Sequence, residues 1–327
     1  MFGRYAPGWR AIAMTAVLVL VGAACGGDDD AGGSSSSSDL SGTISIDGSS
    51  TVAPLSELVA EDFMGENNGV QITVGTSGTG GGFERFCNGE TDVSDASRPI
   101  KEDDEAEAPK CEANGIEYVE LQVANDGLSV VVNPDNDWAQ CLTVEQLNTI
   151  WSPESEGEVT SWSDVDPSFP DEEIELFGPG TDSGTFDYFT DAINGEEGAS
   201  RTDYSPSEDD NVTVTGVSGS TGAMGYFGLS YLELNTEDVK GVEVDNGDGC
   251  VAPTVETVQS GDYAPLSRPL FIYVTRELLE RPEGAAFVEY YLDNATSLAE
   301  EALFVPLTEE QQQAAVEESN ALKEGTL

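Results

Sequence analysis

The sequence predicts an α/β fold with open sheets, because one local pattern occurs three times along the chain. In each copy a β-type run ends in a turn rich in Gly, Ser and Thr, and apolar residues at helical spacing follow. The three strands are predicted over 43–47, 70–74 and 173–177. At 327 residues the chain is also long enough for about two domains of ordinary size.

The first copy begins with the strand at 43–47 and turns through 48–51. Pro54 fits the first turn of the helix that follows, because N–H groups in the first turn make no hydrogen bond within the helix and proline lacks this group. The apolar face of that helix is predicted to consist of Val52, Leu55, Leu58, Val59 and Phe63.

The second and third copies have the same order of elements. The strand at 70–74 leads into a turn at 75–82 and a short helix at 83–88, which Gly89 ends. The third strand leads into a turn at 178–185. The helix after it is marked by Phe186, Phe189 and Ile193.

Each turn places backbone N–H groups at a helix N-terminus, beside hydroxyl side chains. This arrangement can bind an anion without a lysine. A single Gly/Ser turn before a helix is usually only a cap, and a two-domain α/β enzyme with ordinary turns is the alternative interpretation. Three such turns in one chain favour an anion site at the carboxyl ends of the strands.

The charge balance excludes several classes of protein. Lys and Arg number 12 against 63 Asp and Glu, for a formal net charge of −51. A nucleic-acid-binding protein needs positive charge to displace counterions, so we interpret the acids as a solvated surface. Histidine is absent, which excludes a Ser-His-Asp triad and His-ligated zinc. The sequence also lacks a P-loop, and we predict neither a metal site nor a cofactor.

The N-terminus has the pattern of an export signal. Two arginines precede an apolar run at 11–21, and three small residues then precede Cys25. Small residues directly before a cysteine resemble the lipobox of bacterial lipoproteins, so we predict a signal peptide over 1–24 and lipidation of Cys25. A flexible tether follows over 25–40. The predicted location is extracytoplasmic, anchored to the cell membrane, and a secreted protein with an unmodified cysteine is the alternative.

Four further cysteines in an exported chain predict two disulfides. Their spacing alone leaves three pairings open. The four are Cys87, Cys111, Cys141 and Cys250.

The loop at 92–99 contains one of the few arginines of the chain. The guanidinium of Arg98 offers a fork of donors beside serine hydroxyls, which suits a tetrahedral oxyanion. A salt bridge from Arg98 to Asp95 or to a surface acid is the alternative.

Seven motifs follow one another along the chain, at 47–54 (DGSSTVAP), 75–82 (GTSGTGGG), 95–99 (DASRP), 126–133 (DGLSVVVN), 181–186 (TDSGTF), 222–228 (GAMGYFG) and 268–274 (RPLFIYV). In order and spacing they resemble the phosphate-binding proteins of bacterial high-affinity phosphate ABC importers. The resemblance covers nearly all of residues 41–310.

That family implies a two-domain, type II periplasmic-binding-protein-like α/β fold with a two-stranded hinge and one phosphate in the cleft. On this sequence domain one would comprise 41–125 and 269–327, and domain two would comprise 126–268. Disulfides between the domains would restrict closure of the hinge, so pairing within each domain is implied. The implied pairs are Cys87–Cys111 and Cys141–Cys250.

The resemblance also implies a set of phosphate-binding residues, carried over motif by motif. In well-known members an arginine precedes the Ser-Gly-Thr turn by four residues, but Pro179 stands there in this chain. Arg98 is therefore expected to be the one full positive charge that touches the ligand. The implied phosphate-binding residues are Ser50, Thr51, Thr79, Ser97, Arg98, Ser183, Gly184 and Thr185.

Family members often carry a carboxylate in the loop that holds Ser97, where it accepts a proton from the ligand. Ser97 takes the place of that carboxylate here, which leaves Asp95, Asp126 and Asp182 as candidate proton acceptors. Phosphate near neutral pH carries a proton and sulfate carries none. A buried carboxylate therefore bonds to phosphate but repels sulfate.

The predicted function is that of a non-enzymatic, extracytoplasmic receptor, expected to be a monomer. It would bind inorganic phosphate and deliver it to the membrane permease of an ABC importer. A receptor for another tetrahedral oxyanion, sulfate or a metal oxyanion, is the first alternative. A serine-dependent phosphatase or hydrolase is the second, and the lack of a GxSxG motif and of histidine argues against it.

Overall fold

The computed structural model describes residues 40–103, 107–181 and 183–326. The predicted signal peptide, Cys25, the tether up to residue 39 and Asp182 lie outside these residues. In the part of the chain that is described, no helix is long and apolar enough to cross a bilayer.

Strands and helices alternate along most of the chain, so the predicted α/β class is confirmed. The strands are β1 (Ser41–Gly48), β2 (Gly69–Gly75), β3 (Val93–Ala96), β4 (Tyr118–Val132), β5 (Cys141–Thr143), β6 (Glu175–Gly178), β7 (Ser205–Pro206), β8 (Ala223–Gly228), β9 (Lys240–Gly241), β10 (Glu243–Asp245), β11 (Cys250–Val251) and β12 (Ser267–Thr275). The helices are α1 (Ala53–Glu66), α2 (Gly78–Cys87), α3 (Glu107–Ala113), α4 (Val144–Trp151), α5 (Trp162–Val165), α6 (Gly184–Asn194), α7 (Asp210–Gly219), α8 (Leu229–Leu234), α9 (Val255–Gln259), α10 (Arg276–Glu280), α11 (Pro282–Glu301) and α12 (Glu309–Glu324), with a 3-10 turn at Pro153–Ser155.

The three predicted strand–turn–helix units are β1–α1, β2–α2 and β6–α6. The second differs from its prediction, because α2 begins at Gly78, inside the stretch expected to be a turn. A Cβ atom on Gly82 would lie 2.5 Å from the Cα of Gly48. Glycine at these two positions therefore lets α2 pack directly on the end of β1, and this contact outweighs the poor helix propensity of the glycines.

One sheet runs through the whole described fold, because β4 pairs with different neighbours along its length. The strand order is β2-β1-β3-β12-β4-β8-β6-β7, and β9 also pairs with β4. Residues 118–127 of β4 pair antiparallel with β12, and residues 128–132 pair antiparallel with β8. A separate three-stranded sheet has the order β11-β10-β5.

Two large hydrophobic cores lie on this sheet, and they define what we call the first and second lobes. The core of the first lobe is built from buried residues within 44–124 and 270–322. The core of the second lobe is built from residues within 128–266, together with Val305 from the C-terminal part of the chain. The strands β4 and β12 pass between the two cores, so they form the two-stranded connection between the lobes.

Both predicted disulfides are present. Cys87–Cys111 joins the end of α2 to α3 in the first lobe. Cys141–Cys250 joins β5 to β11 in the second lobe.

A carboxyl group is buried in the first lobe directly beneath the turn that leads into α1. The Asp95 side chain is fully buried, and its Oδ1 accepts a hydrogen bond from Ser56 Oγ at 2.9 Å. Ser56 Oγ also lies 3.0 Å from the Tyr291 hydroxyl, and the backbone oxygen of Asp95 accepts from Ser49 N at 2.9 Å. Burial raises the pKa of Asp95 to about 8, since the Ser56 bond offsets only part of the loss of hydration.

The burial of Asp95 makes the free energy of unfolding depend on pH, and a substitution at this residue can measure that contribution separately. Because the folded-state pKa of Asp95 lies above the ordinary value, folding favours the protonated form. Its contribution is present below about pH 4 and is lost as the pH rises through about 8. Asp95→Asn removes the titration, so the stability of the variant relative to wild type should rise with pH, by at most about 1.36 kcal/mol per pH unit. Urea unfolding at several pH values between 4 and 8 measures this difference.

Asp171→Asn, at an exposed acid of the second lobe, is the matched control and should show no such trend. Stability curves of Asp95→Asn and wild type that stay parallel across this pH range would contradict a neutral, buried Asp95.

Candidate anion-binding cleft

A cavity of about 660 Å³ lies between the two lobes, where the first and second turns meet the start of α6. A second cavity, of about 490 Å³, lies within the second lobe and contains none of the predicted phosphate-binding residues. The predicted residues that line the cavity between the lobes are Ser50, Thr51, Thr79, Ser97, Arg98 and Gly184.

The starts of α1 and α6 face each other in this cleft. A Cβ atom on Gly184 would lie 3.0 Å from Thr51 Oγ1, so the glycine permits the close approach of the two helix starts. The two remaining predicted residues lie just behind this contact. Thr185 lines a smaller adjoining cavity of about 220 Å³, and Ser183 Oγ caps α6 by accepting from Thr185 N at 3.2 Å.

The turn before α1 presents donors to the cleft. Ser49 is fixed from both sides, because its N–H donates to Asp95 and its Oγ accepts from Thr51 N at 3.2 Å. The backbone N–H groups of Ser50 and Val52 have no acceptor among the described residues. Unpaired N–H groups at the positive end of a helix favour an anion.

The turn before α2 is held by a buried carboxylate at the end of β1. Asp47 Oδ1 accepts from Ser77 N at 2.9 Å, and Oδ2 pairs with Arg85. Burial raises the pKa of Asp47, but the Ser77 bonds and the Arg85 charge outweigh it and keep the pKa below its usual value. A few residues on, Thr79 Oγ1 lies 3.1 Å from Ser97 Oγ, so the second turn and the loop after β3 are joined inside the cleft.

Arg98 lines the cleft, and it also forms the type of salt bridge that was considered as the alternative. Its Nη1 and Nη2 donate to the two carboxylate oxygens of Glu107, at 3.0 and 2.6 Å. Its Nη1 also donates to the backbone oxygen of Pro99 at 3.0 Å. The guanidinium carbon lies 5.5 Å from the centre of the Phe83 ring.

A second arginine lines the same cleft, where Arg98 alone was expected from the sequence to touch the ligand. Arg268 lies opposite Asp126 in the β4–β12 pairing, and its Nε donates to Asp126 Oδ2 at 3.1 Å. Its Nη2 donates to Thr51 Oγ1 at 3.0 Å. The guanidinium stacks on Tyr188, 3.6 Å from the ring centre. The residue belongs to the motif at 268–274, but pairing across 142 residues is what brings it to the cleft.

The candidate proton acceptors fall in different places. Asp95 is buried away from the cleft against Ser56, and Asp126 lines the smaller cavity while paired with Arg268. The cleft itself contains three carboxylates that sequence reasoning missed, at Asp187, Asp191 and Glu197. Asp187 lies in the first turn of α6, four residues after the capping Ser183, and that position is the signal that could have identified it.

Asp187 is the least exposed of these three carboxylates. Burial and the nearby charge of Glu197 raise its pKa, and the charge of Arg268 lowers it by less. Asp187 lines the same cavity as Arg98 and Arg268, so its carboxylate is placed to accept a hydrogen bond from a protonated anion.

One group of described residues brings metal-ligand atoms close together, at Cys141, Cys250 and Glu243. Both sulfur atoms belong to a disulfide, so they are not available as thiolate ligands.

Comparison with known proteins gives the cleft a family context. Residues 33–295 match the model of the PBP superfamily domain. The chain is 48% identical to protein SphX of Synechocystis over 302 residues, which cover 92% of this chain and 86% of SphX. It is 39% identical to the phosphate-binding protein PstS of Staphylococcus saprophyticus over 302 residues, which cover 91% of this chain and 90% of PstS.

Among solved structures, a possible phosphate binding protein from Planctomyces limnophilus is similar in both sequence and fold. It is 48% identical, with a TM-score of 0.82, over 86% of this chain and 99% of that one. These similarities confirm the resemblance stated from the sequence motifs and the two-domain periplasmic-binding-protein-like fold. The chain therefore belongs to the PBP superfamily and, within it, to the family of the phosphate-binding protein PstS.

Proposed function

We propose that this protein is an extracytoplasmic receptor that binds inorganic phosphate in the cleft and delivers it to the permease of an ABC importer. The observation that carries this proposal is the convergence of two arginines and seven Ser and Thr residues on one cavity at the starts of α1, α2 and α6. A tetrahedral oxyanion needs donors from several directions, and these groups supply them without a lysine.

Isothermal titration of the mature protein with phosphate, sulfate and arsenate tests this function. Tight binding of phosphate supports it, and preference for sulfate would favour the receptor for another oxyanion. Turnover of a chromogenic phosphoester would instead favour the phosphatase.

The proposal includes that the protein acts as a receptor and not as an enzyme, and that it works as a monomer.

The two lobes are proposed to close on the ligand about β4 and β12. The proposed boundaries follow the motif-based division, with 41–125 and 269–327 in one domain and 126–268 in the other. Each disulfide then lies within one domain, so neither opposes closure.

Both cleft arginines are proposed to bond to phosphate. A hydrogen bond to a charged group contributes about 1.5–3 kcal/mol, so Arg98→Ala and Arg268→Ala should each weaken phosphate binding by about 10- to 150-fold. Lysine cannot reproduce the fork of donors, so lysine at either position should restore only part of the affinity. Titration calorimetry with phosphate measures both effects.

Arg276→Ala is the control, because Arg276 pairs with Glu117 outside the cleft. If Arg98→Ala or Arg268→Ala binds phosphate within threefold of wild type, the arginine that was replaced does not bond to the ligand.

Asp187 is proposed as the acceptor of the proton that phosphate carries and sulfate lacks. Asp187→Asn should weaken phosphate binding by about tenfold or more, because a charged acceptor is lost. The same change should strengthen sulfate binding, because a like charge is removed from the cleft. Competition titrations with the two anions, with Asp171→Asn as control, measure the change in preference. An unchanged ratio of the two affinities would exclude Asp187 as the acceptor and leave Asp126 and Asp182 as candidates.

The mature chain is proposed to be anchored to the cell membrane through lipid on Cys25, with 25–40 as its tether. One acyl chain holds a protein at a membrane only weakly, and a second chain or another attraction makes the anchor stable. Cys25→Ala should therefore move the protein from the membrane fraction to the soluble extracytoplasmic fraction. Mass spectrometry of membrane-bound protein that finds Cys25 unmodified would contradict the anchor.

A further inference from the structure

The hydrogen bonds of Arg98 divide its guanidinium into an occupied edge and a free edge. Nη1 donates one hydrogen to the backbone oxygen of Pro99 and the other to Glu107. Nη2 donates one of its two hydrogens to Glu107. The Nε–H and the second Nη2–H, which together form the side-on fork, have no acceptor in the described ranges. A Cβ atom on Gly80 would lie 4.0 Å from Nη2, and both residues line the cleft, so the side of the guanidinium that carries the free fork is next to the first turn of α2.

The carboxylate that occupies the other edge is itself fixed. Glu107 is the first residue of α3, and its Oε2 also accepts from Lys101 N at 2.9 Å. Burial raises the pKa of Glu107, but the bonds from Arg98 and Lys101 outweigh it and keep the pKa below its usual value. Glu107 is therefore ionised at neutral pH and can bond to both ends of the guanidinium at once.

The helix that carries Glu107 is tied to the helix that lines the cleft. The Cys87–Cys111 disulfide joins α3 to the end of α2, whose first turn contains Thr79 and Gly80. Both cysteines are buried in a small core with Phe83, the ring on which the Arg98 guanidinium lies. The carboxylate, the ring and the cleft-lining turn are thus parts of one rigid unit around Arg98.

We propose that Glu107 is a positioning residue, which holds Arg98 by one edge so that the other edge is presented to the anion. This inference rests on the proposed phosphate-binding function. An arginine side chain that is ordered before the ligand arrives loses less conformational freedom on binding, which strengthens the complex. Glu107 also adds a negative charge near the ligand, which weakens binding, so the two effects have opposite signs.

The test separates these effects with salt. At about 1 M salt the Debye length is about 3 Å, so the charge of Glu107 is screened while its hold on Arg98 remains. Under these conditions Glu107→Gln should weaken phosphate binding by about tenfold, equal to about 1.4 kcal/mol, because one amide position cannot accept from the guanidinium. Glu107→Asp keeps a carboxylate and should recover part of the loss. Glu112→Gln removes the same charge from an exposed position on the same helix, and it should bind within twofold of wild type.

A double-mutant cycle with Arg98→Ala shows whether Glu107 acts through Arg98. In the Arg98→Ala background, Glu107→Gln should change the dissociation constant for phosphate by less than twofold. The inference is overturned if Glu107→Gln binds phosphate at high salt as tightly as wild type, or if its effect persists without Arg98. A wild-type protein that does not bind phosphate would overturn the proposed function instead, so the two failures are distinguishable.

Discussion

The antiparallel pairing of β4 with β12 is the interaction on which the rest of the fold depends. The first part of β4 continues the sheet of the first lobe, and its last five residues pair with β8 of the second. The same pairing sets Arg268 opposite Asp126, so the connection between the lobes also carries a guanidinium to the cleft. Architecture and ligand chemistry are therefore set by one register between two strands.

An acidic protein with a net charge of −51 must attract an anion by local means. Both arginines in the cleft are already paired with carboxylates, and three further acids line the cavity. The total charge of the cleft therefore gives little attraction. What favours an anion is the number of donors that line one cavity, with N–H groups at helix starts, hydroxyls from three loops and two guanidinium groups.

The sequence was sufficient for the parts of the site that depend on local pattern. The turns before α1, α2 and α6 could be recognised because a stretch rich in Gly, Ser and Thr marks the passage from a strand into a helix. Arg268 could not be assigned to the cleft in the same way, because only the register of β12 on β4 places it there. The start of α2 was also missed, since helix propensity argues against a run of glycines and only the close packing on Gly48 explains the helix.

The division of the disulfides between the lobes has a consequence for the energetics of closure. Among the described residues both disulfides lie within a lobe, so the backbone is the covalent connection between the lobes, and hydrogen bonds such as Ser230 Oγ to Leu303 O at 2.8 Å add to it. A ligand shifts the populations of open and closed forms only by its difference in affinity for them. Moving that equilibrium from 1:99 to 99:1 requires about 5.5 kcal/mol. At about 1.5–3 kcal/mol for each bond to a charged group, two to four bonds made only in the closed form supply it. The bonds that one small oxyanion makes are therefore sufficient in free energy to drive the closure of the two lobes.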